Sequence, residues 1–554
     1  MASLALRSGL LGRRLAAHLL RRATFGPTRA EIDDLANRTA DEAVDLLMNF
    51  PPLPNHPKDP ATSAEWVVNG RTTANSPNNE LKYIVNSWWL DFVLNPTTAF
   101  SIAHKLTFFL HTSFVTSFND ILWSENHYYT LRLLMLYANK GYKELAKKIC
   151  LDNGMNNFLD ISDSSKGNPN ENFVREFLEL FTIGKGPGAG PGDYTTFTEQ
   201  DVIEAARLMT GFRINNNWND PLLIDQQTGL PRAWMDTSRH DETDKIFSHR
   251  FNSTIISGQT TEAGMLQEVD DLVEMIFAQP ATAEYICRRL YRFFVKYDIS
   301  QEVEDDIIVP LANTLRSNNY NLSIALSQLL KSEHFYDGDD SDTSDEVIGS
   351  LIKPPLDLQI GMIRYLQLAI PDPNTDLFGA YVNFYRWGMQ DPQSKACFDL
   401  FGPPEVAGYE PIYQAPKYNR LWISAKSIPG RYAIVDEHIE GPPELEFDIM
   451  GFVNDPTQIT DFSGVDPQGT PGPHAGGRIA PHLVDELLNY LLPETLDQDR
   501  RDYFLKDVLL DTLTELNWMF EWDNYVSTND DSNIKPQITK LIRTILQSPE
   551  FQLS

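Results

Sequence analysis

Apolar residues recur at three- and four-residue spacing along most of this 554-residue chain, while strand-like alternation is rare and short. That periodicity admits few architectures other than packed helices. Thr28-x-x-Glu31 and Thr39-x-x-Glu42 are capping boxes, each followed by helix-period apolar residues. Further helices are predicted at 79–94, 97–112, 124–139, 141–150, 169–183, 198–210, 261–278, 280–296, 302–317 and 321–332. The expected fold class is therefore mainly α, a large multi-helix body.

With 42% hydrophobic residues the chain can bury a substantial core. Its 46 basic and 77 acidic residues give a formal charge of −31, which disfavours a phosphate-rich partner, so no nucleic acid is expected. No apolar run approaches the roughly 20 residues that span a bilayer, and no transmembrane segment is expected. The N-terminal stretch alternates apolar residues with Arg7, Arg13, Arg14, Arg21 and Arg22, leaving too short an uninterrupted apolar core for a signal peptide. A cytoplasmic location follows from that reading. Cys150, Cys287 and Cys397 are too scattered for a disulfide framework or a thiolate zinc site.

Three regions are expected: an N-terminal helical region over 1–336, an acidic linker over 337–350, and a C-terminal region over 351–554 packed on the first. Within the last, residues 371–480 are rich in Pro, Gly, Tyr and Trp and read as long irregular loops before terminal helices. Leu322, Ala325, Leu326, Leu329 and Leu330, then Ser332 and Phe335, are echoed by Ile538, Leu541, Ile542, Ile545 and Leu546, then Ser548 and Phe551. Either two amphipathic helices look alike by chance, or one unit closes each half of the chain.

The densest polar patterning lies at 168–213. Asn168, Pro169 and Glu171 predict a reciprocally capped helix start, and Gly184 a left-handed stop. At about 100° per residue, Asn172, Arg175, Glu176 and Glu179 share one stripe opposite Phe173, Phe177, Leu180 and Phe181. A second helix, capped by Thr198 and Asp201, carries Glu204 and Arg207 and ends at Gly211. Two solvated charged faces would explain this pattern. So would a cleft in which Glu176 and Glu179 serve as base or cation ligands, Arg175 and Arg207 clamp an anion, and Asn172 orients the substrate. A buried structural network is a third possibility.

His240-Asp241 lies in a polar loop, where His240 is either a structural group or a proton carrier. His104 and His111, two turns apart, are too distant to share a metal. Tyr409, Tyr413 and Trp422, among Gly and Pro turns, suit either substrate stacking or anchoring of the loop itself. There is no HExxH, GxSxG, P-loop or dinucleotide fingerprint, and no haem or flavin motif. A divalent cation is the one cofactor left open.

Taken together, several segments resemble the bacterial family called domain of unknown function 1800. They are His18-Leu-Leu-Arg-Arg-Ala-Thr-Phe-Gly-Pro, Asn-Glu-Asn-Phe-x-Arg-Glu-Phe-Leu-Glu-Leu-Phe-Thr-Ile-Gly at 170–184, Tyr-Thr and Thr-Glu-x-Asp-Val within 194–202, Ala-Arg-Leu-Met-Thr-Gly-Phe at 206–212 and Phe401-Gly-Pro-Pro-Glu-Val-Ala-Gly-Tyr409. His111, His240-Asp241, Lys353-Pro354 and the closing Ser-Pro-Glu-Phe also fall where that family's pattern puts them, whereas Leu110 and Ser113 depart from it. Genes of the family often neighbour a sulfatase-like family, which implies a sulfatase-like protein partner and an envelope or polysaccharide task. Two functions are therefore expected. One is a hydrolase-like enzyme acting on a polar, glycan-type substrate, with His18, His111 and the aromatic loop assisting the 168–213 cleft. The other is a non-catalytic binding or assembly partner of the sulfatase-like protein.

Overall fold

The computed structural model describes residues 2–339, 344–441 and 447–554. The described chain is mainly helical, with only two short antiparallel ribbons, Phe212–Arg213 with Trp234–Met235 and Lys245–Ile246 with Ile255–Ile256. No helix of the described residues is long and apolar enough to cross a membrane.

Two compact units emerge, and neither is continuous in sequence. The first combines the described residues up to Ala5 with Asp45–Ser332 and Asp399–Tyr418, and the second combines Leu6–Val44, Glu333–Phe398 and Asn419–Ser554. Residues 6–44 thus cluster with the C-terminal region, and the 399–418 loop with the N-terminal one. Of the acidic linker, residues 340–343 lie outside the described residues. Beside them, Asp337 accepts hydrogen bonds from the backbone N–H groups of Val347 and Ile348.

In the first unit, helices Asn78–Leu94, Ala103–Ser113 and Ser124–Tyr137 are buried nearly all round, polar residues such as Asn86, His111 and His127 included. Gly154 lets helix Asn153–Phe158 approach Ser124–Tyr137 closely, because a Cβ there would stand 2.1 Å from Thr130 Oγ1. Both N-terminal capping boxes form, at Thr28 with Glu31 and at Thr39 with Glu42.

The stretch over 371–480 is more helical than its composition suggests. Gly379–Lys395 and Ser427–Ile439 are helical, and Gly430 lets the second pass the first, since a Cβ would fall 2.2 Å from the Lys395 carbonyl oxygen. Pro429 sits in the first turn, where its missing N–H costs nothing. The echoed segments are both helices, Leu322–Leu330 and Lys535–Gln547, and each runs into a single 3₁₀ turn at its Ser-x-x-Phe.

Candidate functional site

The 168–213 hairpin forms in the first unit, but its first helix begins late. Asn168 bonds back to Ser165, and the helix starts at Asn172, whose N–H donates to Asn170 Oδ1. The helix then widens into a π-helical stretch over Phe177–Thr182 and stops at Gly184, with φ +77°. The second helix, Glu199–Leu208, carries the predicted Thr198/Asp201 capping box. Asp201, fully buried, also accepts from the Ser248 N–H and hydroxyl, which ties the helix to the 245–256 ribbon.

The polar stripe does not converge on one hollow. Asn172 is exposed. Arg175 reaches Glu199 and Glu171, each at 2.9 Å, and the Glu199 carboxyl, held chiefly by the Arg175 guanidinium and the Tyr194 hydroxyl, is drawn down to about 2. Glu179 pairs with Lys185 at 3.1 Å. Glu176 is half-buried, and burial together with the charge on Glu179 raises its pKa.

A second network sits behind the Glu199–Leu208 helix. Arg207 pairs with Glu204 and, at 3.0 Å, with Asp241. Burial alone would raise Asp241, but hydrogen bonds from Arg207 and Thr243 outweigh it and hold the carboxyl at about 2. His240 is 1% exposed, with Nδ1 2.8 Å from the Thr210 carbonyl oxygen and Nε2 3.0 Å from Glu268 Oε1. Lys245, fully buried, donates to Glu268 Oε2 at 2.6 Å. Thus His240, Asp241 and Arg207 share one network, but each is engaged by a protein partner.

Glu268 escaped the sequence reading, although its signal was present. On helix Glu262–Phe277 it falls on the apolar stripe with Met265, Val269 and Leu272, where a carboxylate must have a buried partner.

The remaining predicted residues are also held. His111 donates from Nε2 to the Thr116 carbonyl oxygen at 3.0 Å and lies 4.9 Å from the Phe401 ring; burial lowers its pKa to about 4. His127, overlooked in the sequence, packs near the same ring and bonds Asn86 at 2.8 Å. His18, in the second unit, bonds the Phe335 carbonyl oxygen at 3.0 Å and packs at a tilt against the Phe335 ring, 4.6 Å between centroids. Tyr409 is buried with its hydroxyl donating to the Asp399 carbonyl oxygen, and Tyr413 donates to Glu405. Trp422, also buried, belongs to the second unit and packs on Phe398.

Open space in the first unit lies elsewhere. Two adjoining hollows of about 20 and 260 Å³ share Lys148, Leu151, Asp225 and Arg232. Asp152 lines the smaller one, and burial pushes its carboxyl up to about 6 against hydrogen bonds from Thr130 and the Met155 N–H. Asp225, paired with Lys148 at 2.8 Å, lies below the usual range because that pairing outweighs its burial. Among the described residues no group of three or more His, Cys, Asp or Glu side chains is arranged to hold a metal ion.

These features define a mainly helical protein of two units, each discontinuous in sequence, whose polar segments are largely engaged by internal partners. The chain belongs to the family DUF1800, described as a protein of unknown function, which it matches over residues 18–553. No curated protein and no solved structure matches it.

Proposed function

We propose that the chain works as a helical binding or assembly protein, docking a protein partner against the face formed by helix Glu199–Leu208 and the 245–256 ribbon. The observation that carries this reading is an apolar patch on that face. Ile246 and Ile255, directly paired across the ribbon, are 50% and 57% exposed, and Ile203 on the helix is 47% exposed. Gln200 Nε2 donates to the Ile246 carbonyl oxygen and Glu204 accepts from its N–H, so helix and ribbon present one surface. Clustered exposed isoleucines beside neutralised ion pairs suit burial against another protein, where unpaired charges would be costly.

The partner that the family resemblance puts forward is a sulfatase-like protein. Mixing the two purified proteins should give a complex on size exclusion, and Ile246→Asp with Ile255→Asp should weaken it at least about a hundredfold without altering the far-UV spectrum. A complex indifferent to both substitutions, or no complex at all, would refute this reading.

A hydrolase reading has its own support, at a different place from the hairpin. Asp152 and Asp225 border one hollow with pKa values displaced in opposite directions, the pattern of a general acid beside an ionised carboxylate. On this reading a polar, glycan-type substrate enters past Lys148 and Arg232. Asp152→Asn would then abolish turnover of a glycan panel, whereas an equal loss of turnover and folding would leave Asp152 a helix cap.

A further inference from the structure

We infer that the second unit contains a binding site for a small oxoanion, in a cavity where buried cations outnumber carboxylates. This inference is independent of the docking face above. The cavity, half-open and about 30 Å³, is lined by Arg21, Lys353, Asp357, Tyr365, Phe551 and other residues. Arg21, Phe25, Gly26 and Pro27 come from the segment that opens at His18, Lys353 from the Lys-Pro pair, and Phe551 from the closing Ser-Pro-Glu-Phe. Three segments far apart in sequence, each part of the family resemblance, meet around one hollow.

Every ionisable group on the wall is at least nine-tenths buried: Arg21 is 6% exposed, Lys353 7%, Asp357 8% and Tyr365 3%. Arg21 donates to the Tyr490 carbonyl oxygen at 2.6 Å. Lys353 Nζ donates to the Phe551 carbonyl oxygen at 2.6 Å and stands 3.7 Å over that residue's ring. Neither cation has an ion pair among the described residues within 4 Å, and burial, then the charge of Arg21, lower the Lys353 pKa well below its ordinary value against the weaker raising influence of Asp357. Behind them Arg431, 1% exposed, donates to Gln552 and to the Lys353 carbonyl oxygen, and its second terminal nitrogen has no partner among the described residues; the same holds for the Tyr365 hydroxyl.

Two other buried guanidinium groups of the same unit are neutralised, Arg29 by Glu486 and Arg364 by Glu31. On the cavity wall two cations, with Arg431 behind them, face one carboxylate, in a chain whose overall charge is −31. Uncompensated buried charge is among the most costly arrangements in a folded protein, and an anion held by a guanidinium, an ammonium and a phenol relieves it. The volume admits an oxoanion head rather than a large ligand. Phe25, Pro27 and Leu491 supply an apolar rim against which a substituent on that head could pack.

The test is thermal unfolding of the full chain with phosphate, sulfate or acetate added against chloride at matched ionic strength. At least one oxoanion should raise Tm saturably, at a concentration at least about tenfold below any effect of chloride. Response to phosphate and sulfate alone marks a tetrahedral ligand and response to acetate alone a carboxylate, and either supports the site. Lys353→Met should abolish the rise while leaving Tm in chloride unchanged or higher, because it removes a surplus charge. Tyr365→Phe, which keeps the ring, should fold normally and weaken the anion about tenfold, as expected for one hydrogen bond to a charged group. The inference is overturned by a rise that does not saturate or that chloride reproduces, by full affinity in Tyr365→Phe, or by a Lys353→Met protein whose Tm falls equally in every anion.

Discussion

Two buried polar regions handle charge in opposite ways. Around His240 in the first unit, Lys245 and the imidazole share the Glu268 carboxylate, Arg207 takes Glu204 and Asp241, and Asp201 meets four donors. Around Lys353 in the second unit, Arg21, Lys353 and Arg431 lean mainly on carbonyl and amide oxygens. The first region is complete without a ligand. The second is complete only with an added negative charge. Density of polar residues in sequence therefore marks a candidate site less well than unmet valence in three dimensions, since a fully paired cluster has little left to offer a substrate.

The sharpest way to break this contrast is Glu268→Leu. Removing the shared carboxylate leaves the fully buried Lys245 with the Asp241 carbonyl oxygen as its remaining partner and takes the acceptor from His240 Nε2. Urea denaturation should show a loss of about 3–5 kcal/mol. A loss below about 1 kcal/mol would mean that the region tolerates surplus cation as Lys353 does, and the distinction would fall.

The next effect is pH-dependent. His111 is buried neutral, its pKa lowered by burial to about 4 from the ordinary 6.5. A depressed folded-state pKa gives stability that is present above the unfolded value and is lost as pH falls through the folded one. Between about pH 6.5 and 4 this histidine should therefore subtract about 3 kcal/mol. Comparing wild type with His111→Leu cancels other titrations, and the wild-type curve should fall more steeply over that window. His18 is also depressed, first by burial and then by the charges of Arg22, Arg21 and Arg14, so its imidazole reports on the cation surplus of the second unit. By NMR titration an oxoanion that binds near Arg21 should shift His18 upward and leave His111 unmoved.

The mainly α class was legible because helical periodicity and capping are local: the Thr28, Thr39 and Thr198 caps each form between residues three apart. The fold beyond that was less legible, since pairing of 6–44 with 333–398, or of Phe401 with His111, depends on contacts hundreds of residues apart. The hairpin stripe assumed a regular helix, whereas Glu179 falls in the π-helical stretch, and nothing in the spacing reveals that Glu199 and Lys185 answer Arg175 and Glu179. Helix Gly379–Gln390 was masked by its aromatic and glycine content, because it follows neither a clean 3.6-residue stripe nor a capping signature. The Lys353 cavity was legible only in fragments, since burial, not residue type, turns Arg21 and Lys353 into a site.

Smaller effects refine the comparison at the hairpin. Thr198→Ala removes a capping hydroxyl and should cost about 1 kcal/mol. Arg175→Gln breaks two ion pairs but, with its side chain 33% exposed, should cost less than about 1 kcal/mol and lose even that in high salt. Glu176→Gln should have the smallest effect and the opposite sign. Burial and Glu179 raise the Glu176 pKa, so the folded state disfavours its charge, and stability declines as pH rises through that pKa. Glutamine removes the decline. The variant should match wild type near pH 4 and be slightly more stable at pH 7, within about 0.5 kcal/mol. Marked destabilisation at both pH values would instead make Glu176 a member of the paired network, and the hairpin would then carry no uncommitted carboxylate on its polar stripe.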